Sequence, residues 1–115
     1  MNSKVILVVE DDFLNRRLSK KVLQENGYQV LEAKNADEAL KILNKELVDL
    51  AILDINLDGR KSFPAAEVLR ERGVKLIFAS GYGSPGLEAP FLEEVILKKP
   101  FEASDIRSAL KRVVA

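Results

Sequence analysis

An α/β fold built on a doubly wound, five-stranded parallel sheet is the architecture this 115-residue sequence predicts. Three observations predict it. Short, continuously apolar runs rich in β-branched residues alternate with stretches whose apolar residues recur at helical spacing. Turn formers separate the two kinds of segment. The alternation is sustained along the whole chain, with no internal repeat, low-complexity tract or linker to break it.

Val5-Ile6-Leu7-Val8-Val9 reads as a first strand buried on both faces. Leu14, Leu18 and Val22, with Leu23 beside them, mark one face of an amphipathic helix, which Asn26-Gly27 stops. Tyr28 to Ala33 alternates enough to be a more exposed, edge-like second strand. Asn35 caps a second helix with Glu38 as its capping-box partner, and Ala36, Ala39, Leu40 and Leu43 form its inner face. Leu50-Ala51-Ile52-Leu53 is the third strand. Pro64 opens a helix carrying Ala65, Val68 and Leu69, and Gly73 closes it. Leu76-Ile77-Phe78-Ala79 is the fourth strand. Gly81 to Gly86 is a turn-rich loop, so any helix before Pro90 is short or irregular. Val95-Ile96-Leu97 is the fifth strand; beyond Pro100 a last helix turns Ile106, Ala109, Leu110 and Val113 inward. That makes about five helices. Right-handed crossovers admit few strand orders. The order 2-1-3-4-5 leaves the most apolar strands central and the second at an edge, with the topological switch point between strands one and three.

Composition narrows the chemistry. The chain has neither cysteine nor histidine, which excludes disulfides, thiolate or imidazole metal sites, thiol catalysis and Ser-His-Asp triads. Any metal must sit on oxygen ligands, which favours Mg²⁺, Ca²⁺ or Mn²⁺. Lys plus Arg equals Asp plus Glu at 18 each, unlike the strongly basic surface of a nucleic-acid binder. No apolar stretch approaches the roughly 20 residues that span a bilayer, and no signal segment follows Met1. The expectation is a single domain over 1–115, cytoplasmic, with no output domain, contacting neither nucleic acid nor membrane.

Ligands of such sheets bind beyond the carboxyl ends of the strands. There the sequence puts Glu10-Asp11-Asp12 after strand one, Asp54 after strand three, Ser80-Gly81 after strand four and Lys98-Lys99-Pro100 after strand five. Like charges so close repel one another unless a divalent ion gathers them. Glu10, Asp11 and Asp54 against one Mg²⁺ and Lys99 sum to zero, which suits a site poised to receive a phosphoryl group. Asp54 would be a carboxylate nucleophile. Lys99 would neutralise the transferring group and the Ser80 hydroxyl would hydrogen-bond one of its oxygens. The backbone carbonyl of Asn56 is a natural further metal ligand. Asp12 caps the first helix, Asp58-Gly59 is a turn, and Lys98 is solvated.

Taken together, E-D-D, L-D-I-N-L-D-G, F-A-S-G-Y and L-K-K-P-F, in this order and covering nearly the whole chain, resemble the receiver domains of two-component response regulators. The resemblance implies a flavodoxin-like, CheY-like fold. It implies Glu10 and Asp11 as the acidic metal pair, Asp54 as phospho-acceptor, Ser80 at the serine-or-threonine position and Lys99 before a cis-prone Pro100. It also implies phosphorylation by a sensor histidine kinase or histidine phosphotransfer protein, with autodephosphorylation but no other catalysis. Output would pass through a downstream protein target, a relay or a phosphate sink, from a monomer or weak homodimer. Two departures stand out. Ile96 occupies the position where many receivers carry an aromatic switch residue, and the glycine-rich loop after Ser80 replaces a regular fourth helix. Both resemble stand-alone receivers with an F-A-T-G-Y-like fourth strand. Such a loop, from Tyr82 to Pro90, would order on phosphorylation. Asn56 and Tyr82 would flank the acyl phosphate and modulate its hydrolysis. The alternative is a pseudo-receiver that binds partners without phosphorylation. A flavodoxin-like cofactor binder would instead need a Gly- or Ser-rich phosphate loop where this chain has three acids.

Overall fold

The computed structural model describes residues 4–57, 60–81, 91, 94–99 and 101–114. Its strands follow the apolar runs: β1 (Val5–Val9), β2 (Gln29–Ala33), β3 (Leu50–Asp54), β6 (Lys75–Ser80) and β7 (Val95–Lys98), with a short hairpin β4 (Asn56–Leu57) and β5 (Arg60–Lys61) between β3 and the third helix. The main sheet is parallel throughout, in the order β2-β1-β3-β6-β7. Setting the hairpin aside, this is the expected 2-1-3-4-5.

The described helices are α1 (Phe13–Glu25), α2 (Ala36–Leu43), α3 (Phe63–Glu71) and α4 (Ala103–Val114). The expected fourth of five helices falls between Gly81 and Pro90, mostly outside the described residues, as do Tyr82, Pro100 and the Asp58-Gly59 turn.

Because side chains of a strand alternate between faces, the continuous apolar runs feed two cores. Leu7 and Val9 of β1, Ala51 and Leu53 of β3, and Leu76 and Phe78 of β6 pack with Ala39, Leu43, Ala66 and Leu69 of α2 and α3. Ile6, Val8, Leu50, Ile52, Ile77 and Ala79 pack with Val22, Leu23, Ile106, Ala109 and Leu110 of α1 and α4. A strand buried on both faces needs apolar residues at every buried position, which is what Ile6–Val9, Leu50–Leu53 and Leu76–Ala79 have. β2, at the edge, is buried only at Ala33.

Two expectations need correction. Leu14 is 75% exposed, not inward-facing. Successive steps of four overshoot the helical repeat, so Leu14 lies about 80° around the helix from Val22. The buried stripe follows Ser19, Val22 and Leu23 instead. The capping box at α2 is shifted as well. Asn35 Oδ1 accepts from Glu38 N at 2.8 Å, but Glu38 Oε1 accepts from Lys34 N, not from Asn35 N. The helix stops are as read: Gly27 and Gly73 follow the C-caps of α1 and α3 with φ of 88° and 78°, a region costly for other residues. Among the described residues no helix is long and apolar enough to cross a membrane.

Candidate functional site

Register brings the strand tips together. Val9 pairs with Leu53, Asp54 with Ala79, and Ser80 with Lys98. Glu10 thus emerges from β1 beside Asp54 at the end of β3. Ile55 N donates to Ala79 O at 2.9 Å and Lys99 N to Ser80 O at 2.7 Å, continuing the alignment past the ladder. One carboxylate oxygen from each of Glu10, Asp11 and Asp54 lies within 4.8 Å of the other two. Glu10 and Asp54 are buried, at 5% and 4% exposure, while Asp11 is exposed. Lys99 Nζ reaches across from the β7 end to Glu10 Oε1 at 2.5 Å and Asp54 Oδ2 at 2.6 Å.

The electrostatics follow from this crowding. Burial, reinforced by a hydrogen bond that protonated Glu10 shares with the Asp54 carboxyl, pushes the Glu10 pKa from 4.5 up to about 8 against the opposing pull of Lys99. Burial alone would lower the Lys99 pKa, but bonds to Asp54 and Glu10 outweigh it and the ammonium is held charged. Ionised Glu10 is incompletely served: Oε2 is buried and receives no hydrogen bond. Three clustered carboxylates, two of them sharing one ammonium and one with an orphaned buried oxygen, fit a hard divalent cation on oxygen ligands, as Mg²⁺ requires.

A pH dependence follows. A metal ion must displace the Glu10 proton. Mg²⁺ affinity is therefore expected to rise with pH, by up to about tenfold per unit, and to level off above about 8. Calorimetric titration at several pH values checks this; a flat profile from pH 6 to 9 would contradict it.

The remaining expected site residues divide as follows. Asp12 stays out of the acid cluster and caps α1, its Oδ1 accepting from Leu14 N at 2.9 Å and Asn15 N at 3.4 Å. Asp12→Ala should cost about 1 kcal/mol of stability while leaving Mg²⁺ affinity unchanged, measured by denaturant melts and titration. Asn56 N donates to Asp54 Oδ1 at 3.1 Å, orienting that carboxylate. Half-buried Ser80 ends β6 one residue beyond the partner of Asp54. Ile96 pairs with Phe78 and packs on the core beneath α2 and α3. Phe78 in turn meets Phe63 and Phe91, ring centroids 5.9 and 5.4 Å away. Tyr82 and Pro100 lie outside the described residues.

Sequence reasoning missed Arg16, whose Nη1 donates to the Glu10 carbonyl at 2.8 Å. The usable signal was its place one turn after the cap residue Asp12, on the rim that carries the acids.

Comparison with known proteins agrees with the geometry. The family model for the response regulator receiver domain matches residues 6–111. Sporulation initiation phosphotransferase F of Bacillus subtilis is 32% identical over 97% of this chain and 94% of its own length. Aerobic respiration control protein ArcA of Escherichia coli is 38% identical over 70% of this chain, but the match spans only 34% of that longer protein. Among solved structures, SdrG from Sphingomonas melonis superposes with a TM-score of 0.88 at 30% identity, covering 100% of both chains. A CheY-like receiver from Methanospirillum hungatei gives 0.83 at 27%, covering 96% of this chain and 93% of that one.

Proposed function

The chain belongs to the response regulator receiver family, and from that premise we propose that Asp54 accepts a phosphoryl group from a phosphohistidine donor. The observation that carries this reading is the meeting of Glu10, Asp11 and Asp54 within 4.8 Å under the Lys99 ammonium. A carboxylate oxygen of Asp54 attacks phosphorus in line; the donor N–P bond breaks, its electron pair returning to the imidazole, and a mixed anhydride forms on Asp54. Lys99, already on Asp54 Oδ2, is placed to follow the charge onto the transferring oxygens. The Ser80 hydroxyl supplies a further donor, and the Asn56 amide holds Asp54 Oδ1 in one orientation. Glu10 and Asp11, with the Asn56 carbonyl, would hold Mg²⁺, with Mn²⁺ able to replace it. The bound ion would supply charge neutralisation on the phosphoryl oxygens.

The donor would be a sensor histidine kinase or a histidine phosphotransfer protein, and the output would be phosphorylation-dependent binding of a protein target or onward relay. Mixing the chain with acetyl phosphate and Mg²⁺ should add about 80 Da, one phosphoryl group, by intact mass, and EDTA should prevent it. No addition under conditions where Mg²⁺ demonstrably binds would favour the pseudo-receiver reading instead.

A further inference from the structure

Resting on the phosphoryl-acceptor reading, we propose that Arg16 is a positioning residue for the metal-binding pair, its guanidinium fixing the peptide that joins Glu10 to Asp11. Glu10 lies just past the last paired residue of β1. Its N–H is still tied to the sheet, donating to Ala33 O at 3.0 Å. Its carbonyl accepts from Arg16 Nη1 at 2.8 Å, a bond to a charged donor. Rotating the Glu10–Asp11 peptide would swing the exposed Asp11 carboxylate out of the 4.8 Å cluster. Arg16 resists that rotation.

Arg16 is itself held from several sides. Its Nε faces Glu32 Oε1 at 3.5 Å on edge strand β2, its guanidinium carbon lies 5.6 Å from the Phe13 ring centre, and its side chain is only 15% exposed. Glu32 is steadied in turn by Lys20 Nζ at 3.2 Å. A planar fork presents Nη1 to Glu10 O and Nε to Glu32 from two separate atoms; a lysine carries all its donors on one nitrogen and lacks that fixed separation. Partners one step behind metal ligands commonly change metal affinity 10- to 100-fold, a range of about that order being expected here.

Arg16→Ala and Arg16→Lys are the variants, with Glu32→Gln as control. Glu32→Gln removes the charge on β2 but keeps an acceptor for Arg16. Mg²⁺ affinity by calorimetry and acetyl phosphate labelling by intact mass are the readouts, on protein whose folding is checked by circular dichroism. We expect Mg²⁺ affinity to fall about tenfold or more in both Arg16 variants, with less change in Glu32→Gln. Labelling should recover toward the wild-type rate at saturating Mg²⁺, the split that a positioning role produces. If Arg16→Lys is folded and binds Mg²⁺ as wild type does, with only its melting temperature lowered, Arg16 is merely α1–β2 glue and the proposal is overturned. If the wild-type chain binds Mg²⁺ but takes no phosphoryl group, the acceptor reading fails while the affinity comparison still decides the role of Arg16. If the wild type binds no Mg²⁺, both fall.

Discussion

Asp54→Asn should carry no phosphoryl group after incubation with acetyl phosphate and Mg²⁺, where the wild type gains about 80 Da. Asparagine keeps the shape of the side chain and an Oδ1 acceptor for the Asn56 amide, but its amide nitrogen is no nucleophile toward phosphorus. The loss should therefore be complete, and not accompanied by unfolding. A second consequence separates a true acceptor mutant from a damaged protein. Asp54 is one of the groups that raise the Glu10 pKa. Removing it should let Glu10 ionise more readily. A carboxylate whose folded pKa is raised gives stability that is present at low pH and lost as pH climbs toward the folded value. For Glu10 that window runs from 4.5 to about 8. In metal-free Asp54→Asn the loss over that window should shrink, leaving the variant more stable than wild type at pH 8 by about 1 kcal/mol. Wild-type labelling of this variant would move the acceptor elsewhere; a large loss of stability at pH 8 would contradict the crowding of like charges.

The fold was legible because buried parallel strands leave a strong local signature. Val5–Val9, Leu50–Leu53 and Leu76–Ala79 are apolar at each position since both faces are covered, and no helix of their length would need that. The hairpin at Asn56–Leu57 and Arg60–Lys61 left no such mark. Two residues per strand are too few for periodicity, and only the Asp58-Gly59 pair hinted at a turn. Leu14 misled for a different reason: spacing by four places it near the apolar stripe, but the stripe drifts around the helix and the first turn of α1 lies at the rim, open to solvent.

The site was legible as a list of residue types at strand ends, because topology alone determines which ends converge. The structure bears out the convergence of Glu10, Asp11 and Asp54 and brings Lys99 onto two of them. What stayed hidden was support. Arg16 reaches back six residues to a main-chain carbonyl, and contacts to backbone carry no signal in side-chain patterning. Glu10 and Asp11 also look equivalent in sequence, yet one is buried and the other exposed. In the proposed metal site their roles would differ accordingly: the buried Glu10 would make metal binding pH-dependent, and Asp11 would meet the ion from the solvent side.

Lys99→Met is the change expected to do the most damage overall. Methionine retains much of the packing of the lysine stem but removes the ammonium that lies 2.5 Å from Glu10 and 2.6 Å from Asp54. Two buried carboxylates are left without a cation. Taking one partner from a buried ion pair commonly costs several kcal/mol, but Glu10 can escape part of that by staying protonated. The cost should therefore depend on pH. Lys99 pulls the Glu10 pKa down, so its removal pushes that value above 8 and extends upward the range in which stability falls with pH. Metal-free Lys99→Met should be less stable than wild type already near pH 6, where the Asp54 carboxylate loses its cation, and by about 1 kcal/mol more at pH 9. The raised pKa of Lys99 itself adds nothing to this window, since its stabilisation is full below 10.5 and fades only above it. Added Mg²⁺ should narrow the gap by neutralising the same acids. It should not restore phosphorylation: with no ammonium to follow charge onto the phosphoryl oxygens, labelling by acetyl phosphate should stay about 100- to 1000-fold slower at saturating Mg²⁺. Denaturant melts at pH 6 and pH 9, with and without Mg²⁺, and labelling rates by intact mass measure both effects. Equal stability loss at both pH values would assign Lys99 a packing role, and an unchanged labelling rate would remove it from the chemistry.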